Sequence, residues 1–250
     1  MKNGSINMRT IQLAAMAAAL LVAAEARAGL DLINNGDFDN TGKTFKPNNG
    51  DAGAMKLVNT SVPFLPGWNV VVPSGANISW DLSASVAGGN PYGLNASSGN
   101  GSQYFLDLTG WTDGKNGYGG VSQSVQNTVA GQKYYLTFDI GSSTRYDGST
   151  APGIQVSING HALGGPNYAT ISGLNNWTSE TLTFTATGTR TTLLLNGVSA
   201  GGLIQYIGLD NVRVTAVPES TTVFAGIGAL CLVLFGAGVH SKRSVIRIGK

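Results

Sequence analysis

Short apolar runs with a two-residue period fill the middle of this chain, and each is cut off by a turn signal before it grows long. Alternating or β-branched stretches recur from Asn69 to Val72, Ala76 to Leu82, Gln103 to Leu108, Val121 to Val125 and Lys133 to Ile140. They continue from Ile154 to Ile158, Glu180 to Ala186, Thr191 to Asn196 and Ile207 to Thr215. Between them stand clusters such as Gly88-Gly89-Asn90-Pro91, Asn116-Gly117 and Asn159-Gly160, whose residues accept the dihedral angles of tight turns. From Gly29 to Ala216 no stretch keeps a helical period beyond a turn or two, so helices are excluded as the organising element. About nine short strands with long polar loops predict an all-β fold, a two-sheet jelly-roll sandwich. Residues 40–54 and 110–120 read as long loops, the usual place for function on a rigid scaffold.

The two ends carry a different pattern. Lys2 and Arg9 precede an apolar stretch from Ile11 to Ala24, broken only by Gln12, and Ala26-Arg27-Ala28 supplies the small residues a signal peptidase accepts. Residues 1–28 are therefore expected to be a signal peptide. At the other end Val217-Pro218-Glu219-Ser220 is followed by 17 uncharged residues, Val223 to Val239. As a helix that run would be about 25 Å long, near the short limit for a bilayer span. Lys242, Arg243, Arg247 and Lys250 follow it, and by the positive-inside rule they would hold that end in the cytoplasm. An ordinary permanent anchor explains this tail as well as a sorting signal does.

The order Val217-Pro218-Glu219, apolar helix, basic cluster resembles the PEP-CTERM sorting signal. The resemblance implies an exosortase-type membrane protease as partner, in Gram-negative bacteria that make extracellular polysaccharide. It implies a protein exported, held at the inner membrane by its C-terminal helix, then released to the cell surface or the extracellular matrix. The chain thus divides into a leader, a domain at 29–216 and a sorting or anchor segment at 217–250.

Removing both ends changes the charge that matters. From Gly29 to Ala216 there are eight Lys and Arg against eleven Asp and Glu, a net charge of −3. Nucleic acid is excluded as a partner, because its binding needs clustered cations to displace counterions. The single cysteine, Cys231, lies in the tail, where it is either lipid-modified or simply buried; the domain itself has no thiol or disulfide chemistry.

The central domain also holds one histidine, His161, and one glutamate, Glu180. His161 follows Asn159-Gly160 and reads as an exposed turn residue, so neither a Ser-His-Asp triad nor a His/Cys zinc site is expected. Paired carboxylates are the remaining route to catalysis, with Asp81, Asp107 and Asp113 as candidates for glycoside hydrolysis. Asp107 alternates with leucines, which places it on a polar face.

Seven short segments give a second resemblance. They are Leu32-Ile33-Asn34-Asn35-Gly36-Asp37-Phe38-Asp39, Leu65-Pro66-Gly67-Trp68, Leu106-Asp107-Leu108, Gly119-Gly120-Val121-Ser122-Gln123, Leu136-Thr137-Phe138-Asp139, Phe184-Thr185-Ala186-Thr187-Gly188 and Leu209-Asp210-Asn211-Val212. In that order they are similar to the choice-of-anchor C family, over nearly the whole domain. The resemblance implies a galactose-binding-like β-sandwich in a glycan-associated setting, with no established reaction. In similar sandwiches an acidic pair on the first strand and an Asp opening the last strand hold a structural Ca²⁺, an ion that prefers six to eight oxygens. Asp37, Asp39 and Asp210 match those places in outline; the alternative is that Asp37 and Asn211 make turn hydrogen bonds.

Four tryptophans remain to be assigned. Trp68 and Trp177 read as core. Trp111 lies in Thr109-Gly110-Trp111-Thr112-Asp113-Gly114-Lys115-Asn116-Gly117-Tyr118, where an exposed ring with Tyr118, Asp113 and Asn116 would make a platform for a sugar. Folding of that ring over the sandwich edge is the competing reading. The expected function is a non-catalytic surface or matrix protein that binds polysaccharide or exopolysaccharide. A structural or adhesive protein without a specific glycan is the alternative, and a polysaccharide-acting enzyme comes third.

Overall fold

Backbone pairing confirms the two-sheet, all-β architecture in a computed structural model that describes residues 29–42, 45–47, 53–59, 65–86, 94–97, 102–112, 115–142, 151–168, 176–201 and 206–218. The leader, Asp113, Glu219 and the apolar tail lie outside the described residues. Among the described residues no helix is long and apolar enough to cross a membrane. Residues Asp31–Thr215 form one compact unit, which the following account concerns; Met1–Leu30 and Ala216–Lys250 are assigned to a second.

The described strands are β1 (Ala54–Leu57), β2 (Asn69–Val71), β3 (Ile78–Leu82), β4 (Tyr104–Asp107), β5 (Gly120–Gln126) and β6 (Lys133–Ser142). The later ones are β7 (Pro152–Ile158), β8 (His161–Ala162), β9 (Asn167–Tyr168), β10 (Asn176–Thr185), β11 (Arg190–Ser199) and β12 (Gly208–Ala216). One sheet has the order β1-β3-β4-β12-β6-β10; the other runs β2-β5-β11-β7-β8, with β9 also on β7. All nine expected runs contain strands. The departures concern length and context: β1 falls partly inside the stretch read as loop, β8 and β9 lie outside the expected runs, and β10 begins four residues before Glu180. Met55 and Trp80 are register partners across β1 and β3, so β1 is held by a distant strand rather than by its own short pattern. The turn between β7 and β8 is as expected, with Asn159 and Gly160 both at positive φ, 51° and 82°, the dihedrals of a tight hairpin.

The first sheet is buried on both faces along β3, β4 and the start of β12. Trp80, Leu106 and Leu209 are register partners and turn toward the core, where Val121, Val125, Ile154, Val156, Leu193 and Leu195 of the second sheet are fully or almost fully buried. Ser79, Asp81, Phe105, Asp107, Gly208 and Asp210 alternate onto the opposite face. That face is covered in part by Leu94, Ala96 and Tyr206, which cluster with Phe105 and Trp177.

The chain at 31–39 is laced to β12. Leu32 N–H donates to Val214 O at 2.9 Å, and Val212 N–H donates to Gly36 O at 2.9 Å. The Gln123 carboxamide grips Asn34 from the second sheet, accepting its N–H at 2.8 Å and donating to its carbonyl at 2.9 Å. Trp68 and Trp80 donate their indole N–H groups to the carbonyls of Asn35 and Phe38. Asn35 and Phe38 both sit at φ 55°, a strained setting for Phe that surrounding bonds must hold.

A Cβ added at Gly36 would lie 1.9 Å from Val212 O, so main chain must move apart to admit one. Gly36→Ala is therefore expected to lower unfolding free energy by about 3 kcal/mol or more. Denaturant melts check this; a variant as stable as wild type would show that the lacing is dispensable.

Candidate functional site

The loop that carries Trp111 is suspended from the turn that precedes β3. Gly110–Thr112 form a single 3-10 turn. Trp111 N–H donates to Asn77 Oδ1 at 2.8 Å, while Asn116 Nδ2 donates to Gly75 O at 2.9 Å. Both residues are thus fastened to one short segment, 75–77. Trp111 is 38 % exposed, large for a tryptophan, and Asn116 is exposed as well. Tyr118 is half-buried, its Cβ close to Gly197. Of the expected platform, the structure gathers Trp111 and Asn116 on one support, turns Tyr118 partly inward, and does not describe Asp113.

Trp68, expected in the core, is 1 % exposed. Trp177 lies against Gly141 and Gly208, where an added Cβ would meet its ring at 2.8 and 2.9 Å. Its indole N–H donates to Asn95 O, and its ring meets Phe105 edge-on at 5.7 Å. Trp177 therefore roofs the outer face of the first sheet, not the space between sheets.

Beneath that roof is a group of acids, among them Asp107, which its alternation with leucines placed on a polar face. Asp81, Asp107, Asp139 and Asp210 are 1, 4, 8 and 0 % exposed. Tyr206 donates its hydroxyl to Asp81 Oδ2. Asp107 Oδ1 accepts from Thr109 N–H, Thr109 Oγ1 and Ile207 N–H. Asp139 accepts from Ser97, Ser179 and Asn211 side chains. Asp210 accepts from the N–H groups of Ser97 and Asn211. Asn211 stands at φ 51°, and this local kink in β12 lets consecutive residues both serve the outer face. The sequence signal was present in Leu106-Asp107-Leu108 and Phe138-Asp139-Ile140, but alternation says which face an acid takes and not whether a loop covers it.

Burial governs the protonation of this group. It raises the Asp210 carboxyl to about 8, against the opposing N–H bonds from Asn211 and Ser97, with the charges of Asp139 and Asp39 adding to the rise. Asp107 is also raised well above the usual carboxylate range, first by burial and then by the charge of Asp81. Asp210 therefore holds its proton at neutral pH, and a protonated carboxyl donates a hydrogen bond that a carboxylate cannot. Asp81 and Asp107, two of the three acids weighed for hydrolysis, do meet, but beneath Tyr206.

Asp37, Asp39 and Asp210, the residues expected at a structural Ca²⁺, each accept protein hydrogen bonds. Among the described residues no three His, Cys, Asp or Glu side chains converge on a cation position. Asp37 Oδ1 accepts Asp39 N–H, the turn bond expected as the alternative. Asp39 Oδ1 accepts from Ser102 Oγ, Gln103 N–H and Tyr104 N–H. One oxygen of each of these two carboxylates, Oδ1 of Asp37 and Oδ1 of Asp39, is thus turned to protein donors.

No protein-family model matches the chain, and no curated protein matches it. Among solved structures it is similar to a Stig cyclase from Fischerella sp. TAU, at 18% identity over 76% of this chain and 99% of that one, with a TM-score of 0.51. An apo cyclase from Fischerella sp. is similar at 21% identity over 78% and 99%, TM-score 0.51. A family 35 carbohydrate binding module from Clostridium thermocellum aligns at 10% identity over 60% and 98%, TM-score 0.36. The cyclase likeness shows a shared fold.

The raised carboxyls set a pH dependence. The unfolded chain releases the Asp210 proton near pH 4, whereas the folded chain keeps it to about 8. Stability from this group is complete below about pH 4, falls by about 1.4 kcal/mol per pH unit above it, and levels once the folded carboxyl ionises. Asp210→Asn removes the titrating proton and should flatten part of that fall, while giving up the N–H bond that one of the two carboxyl oxygens accepts from Ser97 or Asn211. Parallel melting curves for the two proteins from acid to alkaline pH would remove Asp210 as the cause.

Proposed function

We propose that residues 29–216 form a non-catalytic glycan-binding domain of a cell-surface or matrix protein. The observation that carries this reading is Trp111: an exposed indole on a short glycine-flanked turn, fixed through its main chain to Asn77 and beside the exposed amide of Asn116. An aromatic face takes the apolar C–H side of a sugar ring, and neighbouring amides supply the polar contacts that orient it. The domain's net charge of −3 favours neutral polysaccharide over an anionic one. The galactose-binding-like sandwich implied by the choice-of-anchor C resemblance belongs to the same reading.

Export and sorting complete the proposal. β12 ends at Ala216, and Val217 and Pro218 follow at once, half-buried and exposed respectively. A processing enzyme of exosortase type would thus meet its Val217-Pro218-Glu219 signal directly after the last strand. The inner membrane would hold the apolar tail until processing, after which the domain passes to the surface or matrix.

A second reading, a polysaccharide-acting enzyme, is favoured by Asp210, which keeps its proton at neutral pH as a general acid must, and by the upward shift of its neighbour in the group, Asp107. Their burial and the closure of Tyr206 over Asp81 weigh for a structural role. Release of reducing ends from a bound polysaccharide, lost in Asp107→Asn, would decide for the enzyme.

Truncating an exposed stacking ring removes contact area and leaves the core intact. Trp111→Ala should weaken polysaccharide retention in affinity gels at least tenfold, about 1.4 kcal/mol, with an unchanged melting temperature. Unfolding of the variant would place the ring in the core, and absence of retention by wild type across neutral polysaccharides would leave the adhesive-protein alternative. Intact-mass analysis of the protein from its host should show cleavage near Ala28 and near Pro218; a mature form that retains Val223 to Val239 would make the tail a permanent anchor.

A further inference from the structure

Asn77 is 1 % exposed, and its carboxamide is only half used. Oδ1 accepts the Trp111 N–H at 2.8 Å, whereas Nδ2 is buried without a hydrogen-bond partner. The orientation of the amide is not interchangeable: reversing it would set an N–H against the Trp111 N–H. A buried donor left unmade costs about 1–3 kcal/mol, and native interiors leave few such groups uncompensated. The orphaned donor therefore belongs to the same carboxamide that carries the exposed indole.

Gly110 explains how the two are brought so close. It stands at φ +56°, and a Cβ there would lie 2.3 Å from Asn77 O and 2.4 Å from Asn77 Oδ1. Only glycine admits this contact, and its left-handed dihedral is one that changes without side-chain strain. The Trp111 turn is thus seated on Asn77 through a residue that can act as a hinge.

We propose that Asn77 is the buried donor of the Trp111 site, its Nδ2 taking a hydroxyl oxygen of a neutral sugar whose C–H face stacks on the indole. The inference rests on the glycan-binding reading and adds the residue that selects a hydroxylated ring over a merely apolar one. An unpaired site donor rejects ligands lacking the matching oxygen, because the desolvation cost then goes uncompensated. Asn77 is covered, so the Gly110–Thr112 turn shifts as the sugar enters.

The test uses ¹⁵N-labelled full-length chain in detergent, titrated with a soluble galactan, a β-glucan and a xylan. For a polysaccharide that binds, the Trp111 indole and Asn77 side-chain amide resonances should move and saturate together. Movement of Trp111 with a stationary Asn77 amide overturns this inference and leaves the glycan reading standing. If neither moves with any of the three and affinity gels show no retention, both fall. Asn77→Asp keeps the acceptor for Trp111 N–H and deletes the donor, so retention should fall at least about tenfold in the folded variant, whose melting temperature drops by what a buried carboxyl costs. Equal retention by a folded variant overturns the proposal; if the variant unfolds, the wild-type titration decides it.

Discussion

Main chain meets main chain at Gly36 and Val212 with no room for a side chain between, and much of the domain hangs on that approach. β12 lies between β4 and β6, in the middle of its sheet, so the segment at 31–39 joins the first part of the domain to its central strand. Gln123 adds a grip from the other sheet, and the indoles of Trp68 and Trp80 take the carbonyls of Asn35 and Phe38. Each bond is worth about 1 kcal/mol, but together they hold two left-handed residues and align both sheets. The contacts are distant in sequence, so chain ends must meet before the arrangement repays its loop-closure entropy.

The strands were legible because alternation is a local property. Lys133 to Ile140 and Thr191 to Asn196 carry their own period, and Asn159-Gly160 its own turn. β1 was not legible, since four residues, Ala54–Leu57, in a polar glycine-rich context say little without β3 beside them. The motif residues Asn35, Gly36, Phe38 and Trp68 stood out in order, yet their reason is the mutual bonding of three separated segments. Trp111 was legible as an unusual aromatic in a polar loop; Asn77, which fastens it, was not, because an Asn before a strand is ordinary until its partner is seen.

The covered face of the first sheet shows where pattern reasoning fails in kind. Leu106-Asp107-Leu108 predicts two faces, one apolar and one polar, and the structure has them. It also lays Leu94, Ala96, Trp177 and Tyr206 over the polar one. Burying four carboxyl groups is costly unless each is bonded or neutral. Here Ser97, Ser179, Asn211, Thr109 and Tyr206 supply donors, and protonation of Asp210 removes charge. An apolar surface would cover such a sheet with less expense of free energy but without fixing the register of the cover; the directional bonds to Ser97 and Tyr206 do fix it.

That distinction bears on which part of the domain acts on a ligand. The acids are numerous and chemically suggestive, but each already accepts at least one protein donor and a roof lies over them. Trp111 has the opposite profile, with an open ring, a main chain tied to one amide and a donor beneath it unmatched. Binding energy comes from groups whose needs are unmet in the free protein and met in the complex. By that criterion the bonded network at Asp107 and Asp210 serves as scaffold, and Asn77, whose Nδ2 has no partner, is where we propose that recognition is built.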